Sequence, residues 1–86
     1  MNIYKGTTGL DKTWQEKFEP KIECRSCGGG AEIMFTAIEN ERSDDFVCDL
    51  HETTGKKGGL WLHDACAVAV YLCRDCFEAS AIVNQA

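Results

Sequence analysis

The chain lacks an excess of positive charge, a long apolar run and enough residues for a second core. Nine Lys+Arg stand against fourteen Asp+Glu, a formal net charge of −5, and the pI is near 4.9. That balance argues against nonspecific binding to nucleic acid or anionic membranes, because a polyanion is repelled. The opening residues, MNIYKGTTGLDKTWQEKF, hold no continuous apolar stretch, so neither a signal peptide nor a membrane helix is expected there. The longest apolar run, from Leu60 to Cys73, is broken by His63 and Asp64 and falls short of the roughly 20 residues of a bilayer span. There is no internal repeat of useful length and no low-complexity stretch. At 86 residues the chain buries only about 60% of its unfolded surface and needs disulfides, a metal or a partner to hold a fold.

Cysteine is what the chain has in quantity. Six of them are several times ordinary usage, and the expected setting is a reducing cytoplasm, where clustered cysteines hold metal more often than they form disulfides. A secreted disulfide knot is the competing reading. Hydrophobics at 44% and charged residues at 27% are ordinary for a folded protein.

Three regions follow from the residue pattern: an N-terminal arm over 1–20, a stretch over 21–76 carrying every Cys and His, and a tail over 77–86. As domains, these read as the arm and a zinc-binding domain over 21–86. In the arm Leu10, Trp14 and Phe18 recur four apart, Thr8-x-x-Asp11 resembles a capping box, and Pro20 follows. The pattern predicts a short helix whose apolar stripe docks on its own domain or on another protein. Ala31 to Glu39 alternates and reads as a strand. Asn40 to Asp45 is an acidic connector, Phe46-Val47 begins a returning strand, and Thr53 to Gly59 is a turn without the spacing of a phosphate-binding loop. Ala67 to Leu72 leans towards strand through Val68, Val70 and Tyr71. FEASAIVNQA, with Phe77, Ala81 and Ile82 on one face, reads as a terminal helix. The expected fold is a small metal-organised α+β domain of zinc knuckles, a short antiparallel hairpin or sheet and a short C-terminal helix.

The chemistry lies in four pairs of equal spacing: Cys24-x2-Cys27, Cys48-x2-His51, His63-x2-Cys66 and Cys73-x2-Cys76. They use every cysteine and histidine of the chain. Two residues between ligands let both side chains converge on one ion, and tetrahedral zinc needs two such pairs, so eight ligands imply two zinc ions. A single zinc on the outer four cysteines, with the inner four residues structural, is the alternative. Nested pairing gives one all-cysteine site and one of two cysteines and two histidines. Adjacent or interleaved pairing gives two sites of three cysteines and one histidine. Loop closure separates these schemes by only about 1–2 kcal/mol, so spacing leaves them open. Six thiolates with two zinc ions, or four thiolates with one, each leave a charge of about −2.

The ligand order resembles binuclear cross-brace zinc fingers of the RING and PHD kind. Trp61-Leu62-His63-x2-Cys66 is similar to the aromatic-x-His-x2-Cys of PHD fingers, and Tyr71-Leu72-Cys73-x2-Cys76 to their ending. CRSCGGGAEIMFTAIEN with YLCRDC also resembles the knuckle, hairpin and helix of treble-clef fingers, including the short bacterial ones of the McsA kind, which implies a nested four-cysteine site. Both resemblances imply a zinc-organised interaction module.

Catalysis is not expected. His51-Glu52-Thr53-Thr54-Gly55 starts like a zinc-protease helix but has Gly where the second His belongs, and histidines spent on zinc leave none for acid–base work. The expected role is a cytoplasmic protein–protein adaptor, with the acidic run from Glu39 to Asp49 and the stripe of Leu10, Trp14 and Phe18 as its surfaces. Nucleic-acid binding is the first alternative, disfavoured by charge. A rubredoxin-like iron carrier on the outer cysteines is the second.

Overall fold

A computed structural model describes residues 1–39 and 66–85. The expected strand at Phe46-Val47, the turn at Thr53 to Gly59 and the ligands Cys48, His51 and His63 lie outside the described residues. The described chain forms one antiparallel sheet of five strands: β1 (Asn2–Lys5), β2 (Lys21–Glu23), β3 (Gly30–Ile38), β4 (Cys66–Cys73) and β5 (Ala79–Gln85). Their order is β1-β3-β4-β5, and β2 lies beside β1 along the same side of β3. β1 pairs with the second half of β3, from Phe35 to Ile38, and β2 with the first, from Gly30 to Glu32.

The strand readings of Ala31 to Glu39 and of Ala67 to Leu72 agree with β3 and β4. The expected C-terminal helix does not exist: Ala79–Gln85 is a strand, paired with β4 from Leu72↔Ala79 to Cys66↔Gln85. Helix propensity in Ala79 and Ala81 is worth tenths of a kcal/mol. It loses to a full ladder of backbone bonds and to Ile82-Val83, whose β-branched side chains suit a pleated surface. Among the described residues there is no α-helix, only a 3-10 turn at Gly6–Gly9, so the fold is a small antiparallel β-sheet rather than α+β.

The arm's helix is likewise absent. Thr8 does not cap; its hydroxyl donates to the Lys5 carbonyl at 2.5 Å. The chain folds back instead, the Phe18 amide bonding the Leu10 carbonyl at 2.9 Å. Yet the apolar stripe does what an apolar stripe must. Phe18 is buried, and Leu10 and Trp14 pack beside it against Ala31, Ala67, Ala69 and Tyr71 on one face of the sheet. Small residues at 31, 67 and 69 leave room for the three larger side chains. Tyr71, fully buried, donates its hydroxyl to the Glu19 carbonyl at 2.7 Å and pins the end of the arm. The arm's apolar face is therefore spent on its own sheet.

Candidate metal centre

Two hairpins end in loops of the same design. β2 and β3 close through CRSCGG, residues 24–29, and β4 and β5 through CRDCFE, residues 73–78. In the first, the Cys24 amide bonds the Gly29 carbonyl at 2.8 Å and the Gly28 amide bonds the Cys24 carbonyl at 3.0 Å. In the second, Cys73 bonds Glu78 at 3.0 Å and Phe77 bonds Cys73 at 3.1 Å in the corresponding way. The fifth residue of each loop turns left-handed, Gly28 at φ +75° and Phe77 at φ +61°. Glycine takes that conformation freely, whereas a phenylalanine there is strained by about 1–3 kcal/mol.

The pairing of β3 with β4 sets the loops side by side, and the Arg74 amide bonds the Gly30 carbonyl at 3.2 Å across them. The sulfurs of Cys24, Cys27, Cys73 and Cys76 then lie within 4.8 Å of one another. Cys24 and Cys76 are 3.7 Å apart, and Cys27 and Cys73 are 3.5 Å apart. A zinc ion with bonds of about 2.3 Å spaces tetrahedral sulfurs by about 3.8 Å, so the set fits such an ion with little movement. Backbone amides already point at the sulfurs: Ser26 at Cys24, Gly29 at Cys27 and Asp75 at Cys73, each at 3.4 Å. These donors stabilise negative sulfur. Gly29 also faces the other loop closely enough that a side chain there would strike the Asp75 carboxylate.

Protonation shows what the cluster demands. Amides of Cys76 and Asp75, with the neighbouring thiols, overcome burial and pull the Cys73 thiol down to about 7. At Cys76 the Glu78 amide favours the thiolate, but burial and the sulfurs of Cys27, Cys24 and Cys73 outweigh it, and the thiol is pushed up to about 12. At Cys27 the Gly29 amide also favours the thiolate, yet the Cys73 thiol, burial and the Cys24 thiol together raise it. Cys73 ionises readily, whereas Cys27 and Cys76 resist joining it. A divalent cation removes that conflict.

The remaining expected ligand within the described residues is Cys66, and the structure sets it apart. It begins β4 while Cys73 ends it, and seven extended steps separate the two by roughly 23 Å. Cys66 therefore shares no ion with the outer cysteines. Adjacent and interleaved pairings both require it to, so what remains is the nested pairing or a single ion on the outer four cysteines. The cross-brace arrangement of RING and PHD fingers is an interleaved one and falls with them. The treble-clef resemblance keeps its four-cysteine site but loses its helix.

Two residues had no part in the sequence reading of the site. Phe77, read as sharing one face of a terminal helix with Ala81 and Ile82, is 72% exposed at the rim of the second loop. The signal was available in the repeated Cys-Arg-x-Cys, which places Phe77 where the first loop has Gly28. Glu39 is buried beyond β3 and accepts the Cys66 amide at 3.2 Å; nothing in an acidic stretch marks one carboxylate as the buried one. No protein-family model, curated protein or solved structure matches the chain.

Proposed function

We propose that the protein is a small zinc-stabilised interaction module, a cytoplasmic protein–protein adaptor whose docking surface includes Phe77. The observation that supports docking is Phe77 itself. An aromatic side chain left 72% exposed in a left-handed conformation that disfavours it carries backbone strain and gains almost nothing from burial, and strain of that kind collects at functional positions. In the matching loop a glycine takes the same turn without cost, so the metal centre does not require the aromatic ring.

Zinc on Cys24, Cys27, Cys73 and Cys76 is structural in this reading. Four sulfurs fill a tetrahedral ion and leave no open position for a substrate, which argues against an enzyme. A second zinc on Cys48, His51, His63 and Cys66 belongs to the same proposal. It draws support from Cys66, which lies too far along β4 to serve the first ion.

The test is a pull-down with tagged wild-type protein and with Phe77→Gly, each checked for metal content and melting. The reading expects capture of a partner that survives nuclease treatment and is lost with Phe77→Gly while zinc and fold persist. Capture that nuclease abolishes transfers the role to nucleic acid. Iron in the purified protein turns it to electron transfer.

A further inference from the structure

The two edges of the sheet are built differently. Along the outer side of β3 run two short strands, β1 with four residues and β2 with three. They carry Lys5 at one strand end and Lys21 and Glu23 at the ends of the other. Short edge strands bearing charge are the usual guard against another chain adding itself to a sheet. The opposite edge, β5, has none of these. Its seven residues, ASAIVNQ, hold no charge and no proline, in a protein that is 27% charged overall. Among the described residues no strand pairs with its outer side, and Ile82 and Val83 are exposed at 36% and 56%.

The hydrogen-bond phase of this edge follows from the hairpin. The Cys73 amide bonds the Glu78 carbonyl, which makes 73 and 78 a hydrogen-bonded pair. Such pairs recur at every second residue of an antiparallel ladder. Ser80, Ile82 and Asn84, opposite Tyr71, Ala69 and Ala67, therefore bond inward to β4. Ala79, Ala81 and Val83 turn their amides and carbonyls outward.

We propose that β5 pairs antiparallel with β5 of a second copy of this chain, about a twofold axis at Ile82. From Ser80 to Asn84 the strand is alike in polarity about that residue. In this register Ala81 meets the partner's Val83 through outward backbone bonds, small apolar against branched apolar on the same face. Ser80 meets the partner's Asn84, polar against polar on the other face, and Ile82 meets itself. No charge opposes a like charge, which matters in a chain of net −5. An edge contact of this kind is isologous, as a closed dimer requires.

Metal-loaded protein is examined over a dilution series by native mass spectrometry and by amide exchange. The proposal expects a species of twice the 9.5 kDa chain mass that dissociates on dilution. The Ala81 and Val83 amides should lose protection as it does, while the Ile82 amide stays protected. Ala81→Pro removes an outward amide that β4 does not use, and Val83→Lys adds the missing guard. Each should weaken the dimer by roughly tenfold or more with melting and metal content retained. A monomer at every concentration overturns the proposal. So does protection of Ala81 and Val83 that ignores concentration, which would mean the chain covers its own edge. A dimer that survives Val83→Lys in folded protein overturns it equally.

Discussion

Each cysteine of the centre has its own role before any metal enters. Cys73 is the thiol that ionises first, near 7, and Cys76 holds its proton to about 12. Metal binding must displace those protons, so affinity rises with pH. The sign is fixed by the direction of the shifts. Thiols raised in the folded, metal-free cluster compete better with the metal, and below about 7 Cys73 joins them. Titrating the holoprotein downward with a zinc-release dye should therefore show metal loss at a pH below 7, further below it the more tightly the metal is held. Zinc retention that ignores pH down to full acid unfolding would contradict the assignment. Cys24→Ser or Cys76→Ser leaves three sulfurs for an ion that needs four ligands, and since zinc binding on the order of 10 kcal/mol is comparable to a domain's whole stability, the variant should lose one metal and unfold at room temperature. Circular dichroism and elemental analysis check both. Phe77→Gly points the other way: relief of the left-handed turn should stabilise the holoprotein by about 1 kcal/mol, read as a raised melting temperature.

At the scale of elements, the sheet was legible where pattern and burial coincide. β3 alternates because one of its faces meets the arm, and β4 is rich in Val and Tyr because it lies inside the sheet between β3 and β5. The C-terminal strand was not legible. Its identity comes from the second knuckle, which returns the chain along β4, and a local reading of Ala and Ser sees only helix. The arm shows the converse: four-residue spacing of Leu10, Trp14 and Phe18 reported correctly that they share a core and wrongly that a helix connects them. Two tests belong here. Tyr71→Phe removes the bond to the Glu19 carbonyl and should cost about 1 kcal/mol in chemical denaturation. Burial first, and Glu19 after it, raise the Tyr71 hydroxyl above 10, so its contribution is complete below pH 10 and lost as pH climbs through the raised value. Thr36 is fully buried with a hydroxyl that has no hydrogen-bond partner among the described residues. Thr36→Val keeps the shape and removes that cost, so it should stabilise the fold by about 1 kcal/mol. A loss of stability on that change would mean the hydroxyl is bonded.

For the whole molecule, the four-cysteine cluster is where a metal would add what the described core alone does not supply. Among the described residues the buried hydrophobic set consists largely of alanines and cysteines, with Phe18 and Tyr71 as its large members, and such a set is thin for an independent domain. A metal there would clamp β2–β3 to β4–β5 at one end of the sheet, and the arm covers one face. Sequence spacing named the four outer ligands but left their pairing undecided, because loop closure discriminates weakly. The eight-residue length of β4 excludes the pairings that would join Cys66 to the outer cysteines. The most direct test of this account is the metal content of protein purified without added metal, measured by native mass spectrometry and elemental analysis for wild type and Cys76→Ser, with melting recorded before and after chelation. The account predicts zinc in the wild type, one zinc fewer in the variant, and loss of the cooperative transition when metal is removed. A metal-free wild type that melts unchanged, or a mass lowered by disulfide formation among Cys24, Cys27, Cys73 and Cys76, would contradict it.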